Sequence, residues 1–237
     1  MKIGNRPIGH GEPTFIIAEL CSNVIRHLSD LEGVLRSVAS TGAMAAKIQL
    51  FKSSHFPESE RSSKKLVEFP RSRVKEFIDL CHENNLLAGA SAFDGDAIAL
   101  LEKHGADYIK IATREDDNVD LWIRVLESSL PKIASFDCTK TLVFPFAADT
   151  IYLACIPQYP TIIPRIPDYS YVREWGWSSH YICKDRCLDV LIAVSRGANV
   201  VERHIAFSET DFEAGWSSDV GEFRQMVQDI GKMERMR

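Results

Sequence analysis

The stretch LAGASAFDGDAIALLEKHGADYIKIAT, residues 87–113, has the pattern of one strand–helix–strand unit. Residues 87–93 and 107–113 are short apolar runs, and residues 95–104 between them repeat apolar side chains at the helical period. An Asp precedes the helical segment and a Gly follows it, as at many helix ends. This alternation predicts two parallel strands joined by a crossover helix.

The same alternation continues in both directions along the chain. It gives eight predicted strands, at residues 15–20, 45–51, 87–93, 107–113, 132–136, 150–156, 175–180 and 200–205. Helical patterns lie at residues 30–40, 71–84, 95–104, 119–128, 184–196 and 220–233. Eight strands at this spacing predict a fold of the α/β class, a (β/α)8 TIM barrel, in which residues 1–237 form a single domain.

Two connections depart from the regular pattern. Residues 137–149 are too few for a full crossover helix, and residues 158–174 contain Pro160, Pro164 and Pro167. Because proline interrupts helices, we expect the outer helices five and six to be reduced to loops.

Composition excludes several classes of function. The formal net charge of −5 and the absence of a basic run argue against nucleic-acid binding. Apolar runs fall short of the roughly 20 residues that a membrane helix needs, and the N-terminus lacks a signal-peptide core. The six cysteines contain no CxxC pair, which argues against a zinc knuckle or a redox pair. We therefore expect a cytoplasmic protein that binds neither membrane nor nucleic acid.

Polar residues gather where the predicted barrel would place its chemistry. Catalytic residues of such barrels lie at the carboxyl ends of the strands. Those ends carry Glu19, Lys47, Gln49, Ser91, Lys110, Thr113, Ser135, Ser178, His180, Glu202 and His204. Lys47 and Lys110 lie in apolar strands without an obvious counter-charge, and burying an unpaired ammonium group is costly. The pattern therefore predicts an anionic ligand.

The types of side chain indicate which ligands could bind. Ammonium groups and hydroxyls together suit a phosphate and a carboxylate. His180 and His204, on neighbouring strands, could hold one divalent ion and leave positions open for a substrate oxygen. Glu19 lies close enough in a barrel to order a metal-bound water or act as a base. Each residue taken alone is as well explained by an ordinary structural role, so the hypothesis depends on their convergence.

The segments that carry these residues resemble the barrel domain of N-acetylneuraminate (sialic acid) synthases and of related nonulosonic acid synthases. The resemblance covers nearly the whole chain. Its segments are IIAEL (16–20), KIQLFK (47–52), ASAFD (90–94), YIKIAT (108–113), Cys155 with YPT (159–161), GWSSH (176–180) and VERH (201–204). Each segment is weakly informative alone, and their order and spacing are specific.

The resemblance implies a function and a set of site residues. It implies that phosphoenolpyruvate (PEP) is bound by Lys47, Ser91, Lys110, Thr113, Ser135 and Ser178. It also implies a divalent ion on His180 and His204, with Mn2+ expected and Mg2+ or Co2+ as alternatives. Gln49, Glu115 and Tyr159 match acceptor-binding positions. The implied reaction is attack of PEP C3 on the aldehyde of an aldose, followed by water attack at C2 and loss of phosphate.

The departures from the family pattern fall on the acceptor side. The family's Asn-His after the first strand is Asn23-Val24 here, a sugar-binding asparagine is replaced by Pro157, and an aspartate by Ser179. The family's C-terminal antifreeze-like domain is not within this sequence. The acceptor sugar thus stays open, and we expect a homodimer or a separate chain that supplies that domain.

Two other functions stay open. A Schiff-base aldolase would use Lys47 or Lys110 as the nucleophile, with a pKa lowered by burial. A non-catalytic barrel subunit would bind PEP or another anion without turnover.

Overall fold

The computed structural model describes residues 1–140, 149–162, 165–169, 175–182 and 187–236. A short antiparallel hairpin of β1 (Lys2–Ile3) and β2 (Arg6–Pro7) precedes a closed barrel of eight parallel strands. The barrel strands are β3 (Phe15–Glu19), β4 (Ala45–Leu50), β5 (Leu87–Ala92), β6 (Tyr108–Ile111), β7 (Lys132–Asp137), β8 (Thr150–Cys155), β9 (Trp175–Ser179) and β10 (Val200–His204). β10 pairs with both β9 and β3 and so closes the barrel. The predicted (β/α)8 fold is confirmed, and every predicted strand is present with end shifts of at most two residues.

Helices surround the barrel. They are α1 (Leu31–Ser40), α2 (Glu58–Lys65), α3 (Val74–Glu83), α4 (Gly95–His104), α5 (Val119–Glu127), α6 (Leu188–Ser195) and α7 (Val220–Glu234). The α4 helix matches its predicted bounds: the Asp94 side chain accepts from Ala97 N–H at 2.8 Å, and Gly105 ends the helix with a φ of 76°. None of the helices in the described ranges has the length and apolar character needed to cross a membrane.

At three places the structure differs from the helices predicted from the sequence, or describes only part of the segment. The α2 helix was not predicted, because its sequence ESERSSKK is polar and buries no residue. The segment predicted at 184–196 is helical from Leu188, and residues 184–186 lie outside the described part of the chain. In the two irregular connections, residues 138–140, 158–162 and 165–169 contain no helix, and residues 141–148, 163–164 and 170–174 lie outside the described part of the chain.

The interior of the barrel is divided along its axis. Inward-facing residues alternate along each strand, and those near the amino ends of the strands form one apolar cluster together with Ile3 and Ile8 of the N-terminal segment. Its buried members are Ile3, Ile8, Phe15, Ile17, Ala45, Tyr108, Ile133, Ile151, Leu153 and Val200. Gly89 faces the ring of Tyr108, where an added Cβ would collide with it. In the described part of the chain, packed side chains therefore fill the lower half of the barrel, which leaves the upper half as the place for a ligand.

Candidate active site at the carboxyl end of the barrel

Two buried ion pairs occupy the upper half of the barrel. Lys47 is fully buried and donates to the Glu19 carboxylate and, at 2.8 Å, to Ser91 Oγ. Lys110 donates to Glu202 at 2.5 Å from the opposite side of the barrel. The Glu202 carboxylate also lies 3.6 Å from Lys47 Nζ. The expectation that the two lysines lack a counter-charge is therefore wrong, because each ammonium group meets a carboxylate within the barrel.

The charges of this group determine the direction of the pKa shifts. Burial alone would raise the pKa of Glu202, but the ammonium groups of Lys110 and Lys47 outweigh it and lower the pKa to about 2. Burial lowers the pKa of Lys47 to about 7, while Glu202 opposes that shift. The carboxylate of Glu202 is thus held ionised, and a ligand anion must compete with it for the lysines.

A small cavity of about 30 Å3 opens beside these pairs. It is lined by Glu19, Gln49, Ser91, Lys110, Ala112, Thr113, Tyr159, Ser178, His180, Glu202 and His204. Two of the residues predicted to bind PEP do not line it: Lys47 lies buried behind Ser91, and Ser135 is buried with no hydrogen-bond partner for its Oγ among the described residues. The cavity holds about one water molecule, so PEP binding requires the side chains to move apart.

His180 and His204 lie together, as the sequence predicted. Their ring centroids are 5.3 Å apart, and both residues are buried. His180 Nδ1 lies 3.0 Å from the Ile156 carbonyl oxygen, and His204 Nδ1 lies 2.7 Å from Glu213 Oε2. Burial lowers the pKa of His180 to about 3, so its imidazole is neutral near pH 7 and has the protonation state that a metal ligand requires. The pair therefore fits a divalent ion.

Two further residues extend the group around His204. The Cys21 thiol donates to Glu213 Oε1 at 2.8 Å, and Cys21 N–H donates to Glu19 at 2.7 Å. Glu213 is held in turn by its backbone N–H, which donates to Asn23 Oδ1 at 2.8 Å. Burial raises the pKa of the Cys21 thiol, and the Glu213 carboxylate raises it further. Without a metal ion, Cys21 is therefore a protonated thiol.

A larger cavity of about 400 Å3 opens outward from the first. Both cavities are lined by Gln49, Tyr159 and His204. The larger one has aromatic walls and two cationic side chains, and its other lining residues are Cys21, Ser22, Phe51, Phe56, Ser63, Lys64, Val67, Phe93, Arg114, Phe212, Glu213 and Trp216. Its position next to the small cavity suits a second substrate.

Two of the three predicted acceptor residues line the larger cavity, and the third does not. Tyr159 packs on His180 with 4.1 Å between ring centroids, and its side chain stays accessible from the larger cavity. Gln49 also lines that cavity, but Glu115 does not. The Glu115 carboxylate accepts instead from Asn118 at 2.8 Å and lies 3.3 Å from Arg114. A still larger cleft of about 720 Å3 on the outer face, beside α4, contains none of the predicted site residues.

Sequence reasoning gave no role to three residues of this site. Glu202 was among the polar strand-end residues, and its role as a counter-charge could have been inferred, because two buried lysines need two carboxylates at the same level. Cys21 and Glu213 gave no such signal. They lie in loops 192 residues apart along the chain, and no spacing rule connects them.

Comparisons with known proteins agree with the fold and with the resemblance noted in the sequence. A family model described as "NeuB family" matches residues 34–237. The chain is 25% identical to an uncharacterized protein of Methanocaldococcus jannaschii, over 100% of this chain and 75% of that protein. It is 24% identical to the N-acetylneuraminate-9-phosphate synthase of Mus musculus, over 97% of this chain and 73% of that protein.

A solved structure shares the fold. The N-acetylneuraminic acid (sialic acid) synthetase of Leptospira borgpetersenii, crystallised in complex with citrate, superposes with a TM-score of 0.85 at 22% identity. The match covers 100% of this chain and 89% of that chain.

Proposed function

Because the chain belongs to the NeuB family, we propose that it is a carbon–carbon bond-forming transferase that condenses PEP with an aldose and releases phosphate. The observation that carries this proposal is the convergence of Lys47, Lys110 and the Ser91 and Ser178 hydroxyls on one small region at the carboxyl end of the barrel. Cations and directed hydroxyl donors in a buried setting suit the phosphate and carboxylate of PEP.

The residues of the small cavity have distinct proposed roles. Lys110, Ser91, Thr113 and Ser178 line it and would contact PEP directly, and Lys47 and Ser135 would join them when the side chains move apart. Binding a trianionic ligand here requires Glu202 to give up part of its contact with Lys110. Release of that contact would free the Lys110 ammonium group for the incoming anion.

The reaction joins PEP C3 to the aldehyde carbon of the acceptor. The aldehyde oxygen becomes a hydroxyl, water adds at C2, and phosphate leaves with cleavage of the C–O bond. A divalent ion held by His180 and His204 would polarise the aldehyde oxygen. Glu19, whose oxygens accept from Lys47 and from Cys21 N–H, is the proposed base for the attacking water.

The larger cavity is the proposed acceptor site. Its aromatic walls suit the apolar face of a sugar, and Arg114 and Lys64 lie 4.0 and 4.7 Å from the centroid of the Phe56 ring. Two cations at one wall favour an aldose that carries an anionic group. We expect a phosphorylated aldose to have a higher kcat/KM than its unphosphorylated form, and Arg114→Gln to reduce that preference.

Phosphate release from PEP, measured with a panel of aldoses with and without Mn2+, tests the proposal. We expect release that requires both aldose and metal, and its loss in Lys110→Met. The matched control is Lys103→Met, which removes an exposed lysine from α4. Aldose-independent release, or release that persists in Lys110→Met, would contradict the proposal.

One observation favours a second function, a non-catalytic anion-binding barrel. The small cavity is compact, and its lysines are already paired. In that case calorimetric titration would detect binding of PEP or phosphate, and no aldose would cause phosphate release from PEP. The Schiff-base alternative is less well supported: Lys47 has the lowered pKa of a nucleophilic lysine, but it is fully buried and bonded to Glu19 and Ser91. Borohydride trapping with a ketone would detect an imine.

A further inference from the structure

Arg203 on β10 is fully buried although it carries a charge. Its neighbours Glu202 and His204 line the small cavity. Because side chains alternate along a strand, the Arg203 side chain points to the outside of the barrel. Burying a guanidinium group is costly unless partners compensate for the lost water.

The partners of this guanidinium group in the described ranges are neutral. Nε donates to Ser218 Oγ at 2.9 Å, and Nη1 donates to Ser179 Oγ at 2.9 Å and to the Tyr181 carbonyl oxygen at 2.7 Å. Nη2 has no hydrogen-bond partner there. Ser179 and Tyr181 precede and follow His180 in the sequence. The side chain therefore connects β10 to the two residues that flank the first histidine of the pair.

The backbone ladder between β9 and β10 stops just below the two histidines. Its last pair is Ser179 with Arg203, so the ladder does not join His180 to His204. His180 is held from the β8 side, where its carbonyl oxygen accepts from Thr161 N–H at 2.8 Å.

His204 is held from the other direction. It pairs with Glu19 of β3, and its carbonyl oxygen accepts from Ser218 N–H at 3.0 Å. Arg203 joins the two sides, because its guanidinium group reaches Ser218 and, past the end of the ladder, the Tyr181 carbonyl oxygen.

We infer that Arg203 is the positioning residue of the histidine pair: its guanidinium group fixes the carboxyl end of β9 against β10 and so sets the spacing of the His180 and His204 rings. The inference rests on the proposed function, because the ion that these rings would hold is the ion of that reaction. The ring centroids are 5.3 Å apart. An imidazole nitrogen binds an ion such as zinc at about 2.0 to 2.1 Å, so a small change in the spacing of the two strand ends should weaken binding.

The residues proposed to contact PEP do not depend on this connection. Ser178 and Glu202 pair within the ladder, and the Ser178 hydroxyl donates to Glu202 at 3.0 Å. The backbone therefore sets their spacing. Loss of the Arg203 contacts should weaken metal binding and spare PEP binding, whereas a general loss of structure would weaken both.

Titration of the chelator-stripped full-length protein with Mn2+ alone tests the inference, with free Mn2+ measured by electron paramagnetic resonance. His204→Ala should lose the bound ion, which places that ion at the histidine pair. Arg203→Met should weaken Mn2+ binding by about 10- to 100-fold, the range for changes in the outer shell of a metal site. Arg203→Lys should weaken it as well, since one ammonium group cannot replace the fork of donors that reaches both strands. The calorimetric affinity for PEP without metal should stay at the wild-type value in both Arg203 variants.

Two further variants separate positioning from stability. Trp177 is buried on β9, and its indole N–H donates to Asp189 of α6 at 2.8 Å. Trp177→Phe breaks this bond and should lower the free energy of unfolding without changing Mn2+ affinity. Arg203→Lys combined with Ser179→Asp supplies an ion pair between the same two strands and should move Mn2+ affinity back towards the wild-type value.

The Mn2+ affinities decide the outcome. Wild-type affinity in Arg203→Met would overturn the inference, as would a fall in PEP affinity equal to the fall in Mn2+ affinity in Arg203→Lys. If Arg203→Met does not fold, Arg203→Lys decides the question, because it keeps the buried charge and changes only the geometry of its donors.

The same measurements separate the inference from the proposed function. Weaker Mn2+ binding in Arg203→Lys, in a protein that releases no phosphate from PEP, would support the inference and contradict the proposed function. Metal-dependent phosphate release together with wild-type Mn2+ affinity in Arg203→Lys would support the proposed function and contradict the inference.

Discussion

The lower and upper halves of the barrel interior use the same strand alternation for opposite purposes. On β3 the inward residue changes from Ile17 to Glu19 within two positions, and on β10 it changes from Val200 to Glu202. All four side chains are almost completely buried. The halves thus differ in polarity and not in exposure.

The lower half contributes mainly to stability, whereas the polar upper half contains the candidate site. Apolar side chains in the lower half stabilise the fold by burial. Buried ion pairs in the upper half contribute little net stability, because desolvation offsets their attraction, and apolar replacements of similar volume are often as stable. Under the proposed function, an anionic substrate would exchange with the carboxylates of these two pairs.

The largest expected effect comes from removing one charge of the upper half. Lys110→Met leaves Glu202 without its closest cation, and a broken buried pair costs about 3 to 5 kcal/mol of stability. PEP affinity should fall by about 2 to 5 kcal/mol for loss of a desolvated charge contact. Denaturant unfolding and calorimetric PEP titration measure the two effects.

The double variant Lys110→Met with Glu202→Gln is the control for that prediction. It removes both charges of the pair, so it should recover most of the lost stability without recovering PEP affinity. If the single variant were as stable as the wild type, the pairing of Lys110 with Glu202 would not matter to the fold.

A substitution that creates a cavity in the lower half should lower stability and leave PEP affinity unchanged. Ile17→Ala removes a fully buried side chain and should lower the free energy of unfolding by about 2 to 5 kcal/mol. Because Ile17 lines neither cavity, PEP affinity of the folded protein should stay at the wild-type value. Ile17→Val should cost about 0.5 to 1.5 kcal/mol. A large loss of PEP affinity in Ile17→Ala would show that the halves are not separable.

The barrel could be predicted from the sequence because each strand has a recognisable local pattern. Each strand is a short apolar run bounded by polar or turn residues, and the α4 helix is bracketed by Asp94 and Gly105. The α2 helix was missed for the same reason: it has no apolar face, and local pattern is the only signal that a single sequence offers.

The sequence indicated which residues lie at the candidate site better than it indicated their contacts. Strand position alone placed Lys110 and His204 at the correct end of the barrel, and the two histidines are neighbours as expected. Pairings across the barrel, such as Lys110 with Glu202, depend on closure of the sheet and not on neighbouring sequence. The contact of Cys21 with Glu213 depends on two loop conformations, which no strand or helix pattern determines.

An unpaired hydroxyl in the upper half gives the next prediction. Ser135 Oγ is buried and has no hydrogen-bond partner among the described residues. If PEP supplies that partner, Ser135→Ala should weaken PEP binding by about 1.5 to 3 kcal/mol, the range for a hydrogen bond to a charged group. Stability should be unchanged or slightly higher, because an unsatisfied buried group is removed. Unchanged PEP affinity by calorimetry would remove Ser135 from the site.

The smallest effect should come from the matching hydroxyl in the lower half. The Tyr108 hydroxyl is also buried without a partner among the described residues, but it lies in the apolar cluster beside Gly89. Tyr108→Phe removes an unsatisfied donor and leaves the ring packing intact, so the free energy of unfolding should rise by about 0.5 to 1 kcal/mol. PEP affinity should not change, in contrast to Ser135→Ala. A fall in stability of more than about 1 kcal/mol would mean that the hydroxyl bonds an ordered water, and that the lower half is less completely apolar than its side chains indicate.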